Sequence, residues 1–380
     1  MASAPRREVL VVGGGIGGLA AALALARRGA WVRVVEQAPA ISEVGAGLQI
    51  TPNGSRVLRA LGLSPESVGV RALAVEPRDA LTGRPIARFD LRRAGGDYFF
   101  VHRADLIDLL RQGAEAAGVP LRTEARVTAI TPHGVELDGG EHLSADLVVG
   151  ADGLHSVVRR HLLGDDRPFF TGQVAWRAIV PVEQGPVARI WMAPGKHVVT
   201  YPLKDGRLNV VAVREEAQWA EEGWSHRDSP DALRRAFGDV ALNLKAILAR
   251  VTEVGRWGLF RHPVADRWHD GRTVLLGDAA HPTLPFLAQG ANLALEDAWV
   301  LAREILRDDL REGLDRYQAE RRPRVSDAVG EANANARNYH LKGARRRAAH
   351  AGLWTLGFLA PGAFLRRYDW LYRFDVTADG

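Results

Sequence analysis

The sequence predicts an α/β fold, and three observations carry that prediction. Glu8 to Val12 reads as a short buried strand, a β-branched run that stops at Gly13; an Ala- and Leu-rich stretch follows, and a second β-branched run ends at Glu36. Between about 171 and 213 the pattern turns to short alternating strands, as in an antiparallel sheet. A strand-like run at 272–276 and a helical one at 293–307 then return to the first pattern. The N-terminal βαβ unit is therefore interrupted by a second sheet and completed after it.

In chain order, 16–28 reads as a helix stopped by Gly29, and 31–36 as the strand beyond it. The stretch 106–117 reads as a helix ended by Gly118, and 143–149 as one strand leading into Gly150. Lys204-Asp205-Gly206 marks a hairpin turn. The last 50 residues read as mainly helical, broken at Pro361 and Gly362.

Composition sets limits on function. With 380 residues, 47% hydrophobic and 25% charged, the chain is an ordinary globular one of two or three domains. Cysteine is absent, which excludes disulfides, thiolate metal sites, iron–sulfur clusters and cysteine nucleophiles. A net charge of +5 gives no reason to expect a nucleic-acid partner. No apolar run is long enough to span a membrane, and the run 9–12 is too short for a secretion signal, so a cytoplasmic location is expected.

Gly13-Gly14-Gly15-Ile16-Gly17-Gly18 satisfies GxGxxG between a strand and a helix. Gly13 permits the tight turn, Gly15 lets the backbone approach a pyrophosphate, and Gly18 allows close packing of helix on strand. Ile16 opens a helix whose N–H groups and dipole face the phosphates. Glu36, followed by Gln37, ends the second strand, where a carboxylate takes the ribose hydroxyls and disfavours a 2′-phosphate. Two later segments add to this fingerprint. One is Asp152-Gly153 after the strand-like run ending at Gly150; the other is Gly277-Asp278, leading through Pro285 to Gly290-Ala291-Asn292.

With these three ordered motifs the sequence resembles the single-component (group A) FAD-dependent aromatic hydroxylases, such as salicylate hydroxylase, 3-hydroxybenzoate 6-hydroxylase and 6-hydroxynicotinate 3-monooxygenase. The resemblance implies a Rossmann-like FAD-binding domain with an inserted antiparallel-sheet substrate domain and C-terminal helices. Residues 1–75, 101–165 and 265–325 are expected to form the FAD-binding domain, 76–100 and 166–264 the substrate domain, and 326–380 the helical region. It also implies FAD as cofactor, NADH or NADPH as transient reductant, and O₂ added at flavin C4a. The resulting hydroperoxide would pass one oxygen to a small, electron-rich aromatic substrate. By the same resemblance Asp152 serves FAD and touches the nicotinamide, Gly277 and Asp278 hold the ribityl chain, and Pro285 lies against the isoalloxazine. Gly290, Ala291 and Asn292 would meet its pyrimidine edge, where a helix N-terminus stabilises the charge of reduced flavin. Arg103 would hold FAD from the opposite side, Gly45 to Gln49, with Gly47, would pass beside the ribityl chain, and Val127 would clasp the adenine.

Phenolic rings react faster as phenolates, so a base is useful. His197 and Tyr201 stand four apart in one strand-like run and share a face. Relatives acting on hydroxylated aromatic acids carry His-x-x-x-Tyr there, which implies His197 as general base and Tyr201 as the residue that orients the substrate. The plainer alternative is a structural histidine on a sheet face. Relatives acting on hydroxynicotinate place a further histidine where this chain has Leu48 and Gln49, which argues against that substrate. His281 reads as structural and Trp176 and Arg177 as architectural. His262 and His269 lack metal-ligand spacing, and no GxSxG elbow supports a hydrolase. Two rival functions stay open here: a hydroxylase or epoxidase of an isoprenoid or quinone precursor, and a flavin-binding redox protein without turnover.

Residues 332–374 hold eight basic residues against Asp369 alone, interleaved with large apolar side chains. This tail is expected to pack on the body or in a homodimer interface; the other reading is contact with an anionic membrane surface.

Overall fold

The computed structural model describes residues 6–41, 46–218, 227–307 and 309–378. Its N-terminal unit is a five-stranded sheet in the order Thr273–Leu275, Leu147–Gly150, Glu8–Val12, Trp31–Val35, Leu121–Arg122. Every pair in it is parallel. Glu8–Val12 is central, and Val9 to Val12 are buried, as in a parallel strand covered on both faces. The helix Ile16–Arg27 covers the sheet with an unbroken buried stretch, Gly18 to Leu25, and packs against the helix Gly290–Glu304.

The stretch 143–149, read as one strand, is two. His142–Ser144 belongs to a small antiparallel sheet and Leu147–Gly150 to the parallel one. The break falls at Asp146, whose Oδ2 accepts the Glu8 N–H at 2.9 Å and whose own N–H donates to the Glu8 carbonyl. A polar residue tied to the first strand re-aims the chain where hydrophobicity alone reads through.

The second large sheet has eight strands: Arg227–Asp228, Val254–Arg261, Phe169–Val180, Leu208–Glu215, Lys196–Pro202, Val187–Ala193, Ala74–Asp79 and Phe89–Asp90. The turn at Asp205 and Gly206 has φ of 61° and 68°, the left-handed pair of a type I′ hairpin. The sheet is antiparallel except for one pair. Ala74–Asp79 runs parallel to Val187–Ala193, because it arrives from a distant part of the chain and no hairpin sets its direction.

Alternation gives this sheet two different faces. Trp176, Trp191, Val210 and Ala212 point to one side, where Leu233, Phe237, Leu244 and Leu248 cover them. Ala175, Val211, Val213, Trp257 and Leu259 point to the other, where they meet Leu284, Phe286 and Ala336. A three-stranded sheet, Gly47–Ile50, Phe99–His102 and Gly69–Arg71, lies between the two large ones.

After the helix Leu310–Tyr339 come the helices Gly343–Leu359, Pro361–Arg366 and Asp369–Tyr372. The end of the tail packs on the body: Leu365, Tyr368, Leu371, Tyr372 and Val376 are buried in the main core. Arg324 donates to the carbonyls of Trp370 and Leu371, and Arg56 to that of Tyr372. Trp354, Phe358 and Leu359, on the preceding helix, stay exposed.

One cluster of buried charge lies on the helix Gly290–Glu304. Glu296 and Asp297 are adjacent and buried, and Arg321 meets both, at 2.6 and 2.7 Å. Arg324 pairs with Glu296 at 2.7 Å, and His281 Nε2 lies 2.5 Å from Asp297 Oδ2. Burial alone would raise both carboxyls, but the neighbouring cations outweigh it and hold them below the usual range. Replacing Arg321 by Met therefore leaves buried acids short of a partner. We expect a loss of about 3–5 kcal/mol by denaturant melts at pH 7, partly recovered at pH 5 as the strained acids protonate. A loss under about 1 kcal/mol would show that Arg324 and His281 suffice.

Candidate active site

The turn Gly13–Gly18 has the three different glycine environments that the motif requires. Gly13 sits at φ +107°, with Ala151 O 2.4 Å from the position of an added Cβ. At Gly18 that Cβ would lie 2.0 Å from Gly13 O, so the helix rests directly on the turn. At Gly15 nothing lies within 4 Å. No side chain caps this helix at Gly15, and Ile16, its first residue, is buried.

Glu36 closes the far side of the turn. Its Oε2 accepts the Gly14 N–H at 2.7 Å and its Oε1 the Ala38 N–H at 2.9 Å, while Gln37 is exposed beside it. The chain returns along this edge: Glu36 N–H donates to Arg122 O, Glu124 N–H to Ala38 O and Ala125 N–H to Glu36 O. Val127 follows, buried at the start of its strand. Asp152 adjoins the turn through its backbone, but its carboxylate is engaged elsewhere. It accepts from Ser156 Oγ and from Val157 N at 2.7 Å, capping the helix Val157–Leu163.

Asp278 follows the strand Thr273–Leu275. Protein surrounds it, yet its side chain keeps accessible surface, as a group lining an internal cleft does. Burial pushes its carboxyl up, opposed by His281 and by Arg103, the first residue of the helix Arg103–Ala116. Gly277 precedes it at φ +61°. An added Cβ at Gly290 would lie 4.0 Å from Asp278 Oδ1, so the two sequence segments meet. Pro285 is exposed between buried Leu284 and Phe286. Ala288 has φ +55°, a left-handed conformation costing about 1–2 kcal/mol outside glycine, and Asn292 Nδ2 donates to its carbonyl at 2.6 Å.

The side chain of Asn292 is spent on the protein. Besides Ala288 O it donates to Gln49 O at 3.0 Å and accepts from Thr51 N at 3.0 Å, which leaves the backbone N–H groups of Gly290 and Ala291 as the open end of the helix. Gln49 accepts from the Tyr98 hydroxyl at 2.6 Å. Gly45 lies outside the described residues. Gly47 donates to Asn209 Oδ1 at 2.7 Å, and an added Cβ there would meet the Tyr201 ring at 2.7 Å.

His197 and Tyr201 share the sheet face of Val199, Val211 and Val213. They have different neighbours. Tyr201 stacks on Phe100, ring centres 5.1 Å apart, and burial pushes its phenol up despite Arg177 nearby. Arg177 is on this same face, 4.8 Å over the Trp257 ring, whereas Trp176 is on the opposite one, donating to Asp228. The pair read as architectural is thus divided across the sheet. His197 is buried between Phe286 and Tyr339, at 5.3 and 5.2 Å, with its Nδ1 2.7 Å from His340 Nε2. His340, Tyr339, Phe286, Trp257 and Asn209 escaped the sequence reading; only the contact across 143 residues singles out His340.

Comparison with known proteins bears on this geometry. The FAD binding domain family matches residues 6–332. The chain is 39% identical to 3-amino-4-hydroxybenzoate 2-monooxygenase of Streptomyces cremeus, over 88% of each chain. It is 34% identical to 3-hydroxybenzoate 6-hydroxylase of Polaromonas naphthalenivorans (strain CJ2), over 97% of this chain and 96% of the other. The crystal structure of Klebsiella pneumoniae HpxO complexed with FAD and uric acid matches with a TM-score of 0.85 and 27% identity, over 96% of each chain. The chain belongs to the FAD-dependent aromatic hydroxylases. It is a flavoprotein monooxygenase of mixed α/β fold.

The residues fit an FAD. The open face at Gly15, the uncapped ends of the helices beginning at Ile16 and Gly290, and Asp278 lining a cleft are the features a dinucleotide and a flavin ring need. This hydroxylase should therefore separate two glycine roles. Gly15→Val, at φ −77° and with nothing within 4 Å, should keep the apoprotein melting temperature and lose FAD absorbance. Gly18→Val should cost stability even without cofactor, by about 1–3 kcal/mol or more. Full FAD content in Gly15→Val would contradict the assignment of that face to the pyrophosphate.

Proposed function

We propose that this hydroxylase inserts one oxygen atom into a phenolic aromatic acid, with NADH or NADPH as transient reductant and O₂ as co-substrate. The observation that carries the reading is the sheet face of Ala175, Val199, Val211, Val213, Trp257 and Leu259, on which His197 is buried and the Arg177 guanidinium lies over Trp257. When bound, FAD supplies the electron transfer and oxygen activation. The division into FAD-binding and substrate parts at the boundaries given above belongs to this proposal.

His197 and Tyr201, four strand residues apart, are separated by about 13 Å along the backbone. An aromatic acid lying between them presents its hydroxyl to His197 and its carboxylate toward Arg177 and Tyr201. Burial and His340 hold the His197 imidazole well below its ordinary range, so it is neutral near pH 7 and can accept a proton. Trp257, Leu259, Leu284 and Phe286 exclude water around the ring. Arg103, Asp278 and the N–H groups of Gly290 and Ala291 would hold the flavin beside Pro285. The Streptomyces and Polaromonas relatives are named for hydroxybenzoates, which supports the same substrate class.

A screen of hydroxylated benzoates, including 3-amino-4-hydroxybenzoate and 3-hydroxybenzoate, tests this directly. At least one should stimulate NAD(P)H oxidation and gain one oxygen by mass. His197→Ala should lower product formation about 10²–10⁴-fold at neutral pH with FAD content intact. The deficit should shrink as pH rises and the phenol ionises in solution. Near wild-type hydroxylation in that variant across pH 6–9 would mean that His197 is structural.

A further inference from the structure

A base buried this deeply has to dispose of the proton it takes. Burial makes the charged imidazolium of His197 costly, and the surrounding Phe286, Tyr339, Val199 and Val213 supply no carboxylate to stabilise it. Its Nδ1 is committed to His340 Nε2 at 2.7 Å, which leaves Nε2 as the nitrogen for a substrate hydroxyl. His340 follows the helix Leu310–Tyr339 and is itself buried. On its other side His340 Nδ1 lies 3.4 Å from Glu215 Oε1, and Glu215 is exposed at the end of the strand Leu208–Glu215. Lys342 Nζ, 2.8 Å from Glu215 Oε2, holds that carboxylate at the surface.

We propose that His340 and Glu215 form a proton relay that carries the phenolic proton from His197 to solvent. The inference rests on the reading of His197 as the base. In the tautomer that leaves His197 Nε2 free to accept, His197 donates from Nδ1 to His340 Nε2, and the His340 Nδ1 proton faces Glu215 Oε1 across 3.4 Å, a gap that closes by a small movement of the exposed carboxylate. As the substrate O–H breaks, its proton bonds to His197 Nε2. The Nδ1 proton of His197 moves to His340 Nε2, and the Nδ1 proton of His340 moves to the Glu215 carboxylate and on to water. One proton leaves the site, the substrate keeps the electron pair as a phenolate, and both imidazoles stay neutral. The groups that bias the relay are His340 and Tyr339 around His197, and Glu215 and Lys342 around His340. His340 is held low by burial, with Glu215 opposing and Lys342 adding to it. His340 and Glu215 are positioning residues: they act through His197 and need not touch the substrate.

The test uses the FAD-loaded enzyme and whichever hydroxybenzoate turns over best. His340→Ala and Glu215→Gln should keep FAD content and KM. Their kcat for hydroxylation at pH 6.5–7.5 should fall by about tenfold or more, with partial recovery toward pH 9 as substrate arrives ionised. Added imidazole should restore His340→Ala, because it can occupy the vacated space and accept from His197. A role confined to packing would give a pH-independent loss without rescue, and that result would overturn the relay. So would wild-type kcat and pH profile in both variants while His197→Ala is impaired. If His197→Ala is itself unimpaired, the reading of the base fails first, so the two claims are told apart.

Discussion

Two carboxylates buried side by side are the constraint on which the rest of this structure depends. Glu296 and Asp297 could not occupy the core without partners, and the groups that meet them come from distant parts of the chain. Arg321 and Arg324 come from the helix Leu310–Tyr339, and His281 from the loop after Gly277-Asp278. Asn53, from the helix Pro52–Ala60, donates to Glu296 at 2.6 Å, and the Gly277 N–H donates to Asp297 at 3.2 Å. Arg324 also holds the carbonyls of Trp370 and Leu371. One ionic cluster thus fixes the open end of the helix Gly290–Glu304, the loop carrying Pro285 and the C-terminal tail relative to one another.

In the proposed reading, that fixation lets two separate sheets serve one site. The parallel sheet supplies the glycine turn and Asp278, and the eight-stranded sheet supplies His197 and Arg177. Leu284 and Phe286 close the interval between them because they sit in the loop that the ionic cluster anchors. The electrostatics divide accordingly. Under the proposal, helix ends and Arg103 would present positive charge to a cofactor with a pyrophosphate and an anionic reduced ring, while the aromatic face is dry enough to keep His197 neutral.

Much of the parallel unit was legible because its residues have backbone reasons to be where they are. Gly13 needs a positive φ, Gly18 needs the absence of a Cβ, and the central strand needs unbroken hydrophobicity. The turn at Asp205-Gly206 was legible for the same reason. Side-chain roles were less so. Asp152 and Asn292 fall within the expected motifs, yet their side chains cap a helix and tie backbone segments together, which no spacing reveals. The division of 143–149 into two strands turned on one Asp146 contact. The parallel pairing of Ala74–Asp79 depended on a crossover, and alternation reports faces but not direction. His340 was beyond reach because it follows a helix, its partner lies on a sheet strand 143 residues away, and no periodicity links the two.

The central claim is that the flavin cleft and the His197 face are one site in which an aromatic ring is ionised next to FAD. It is tested most directly by titrating the FAD-loaded protein anaerobically with hydroxybenzoates while recording both the flavin visible spectrum and the ligand's phenolate absorption. The account predicts that one ligand changes both signals with the same dissociation constant, and that its phenolate band appears at a pH below that of the free phenol. A ligand that binds with its phenol un-ionised, or that leaves the flavin spectrum unchanged, would contradict it.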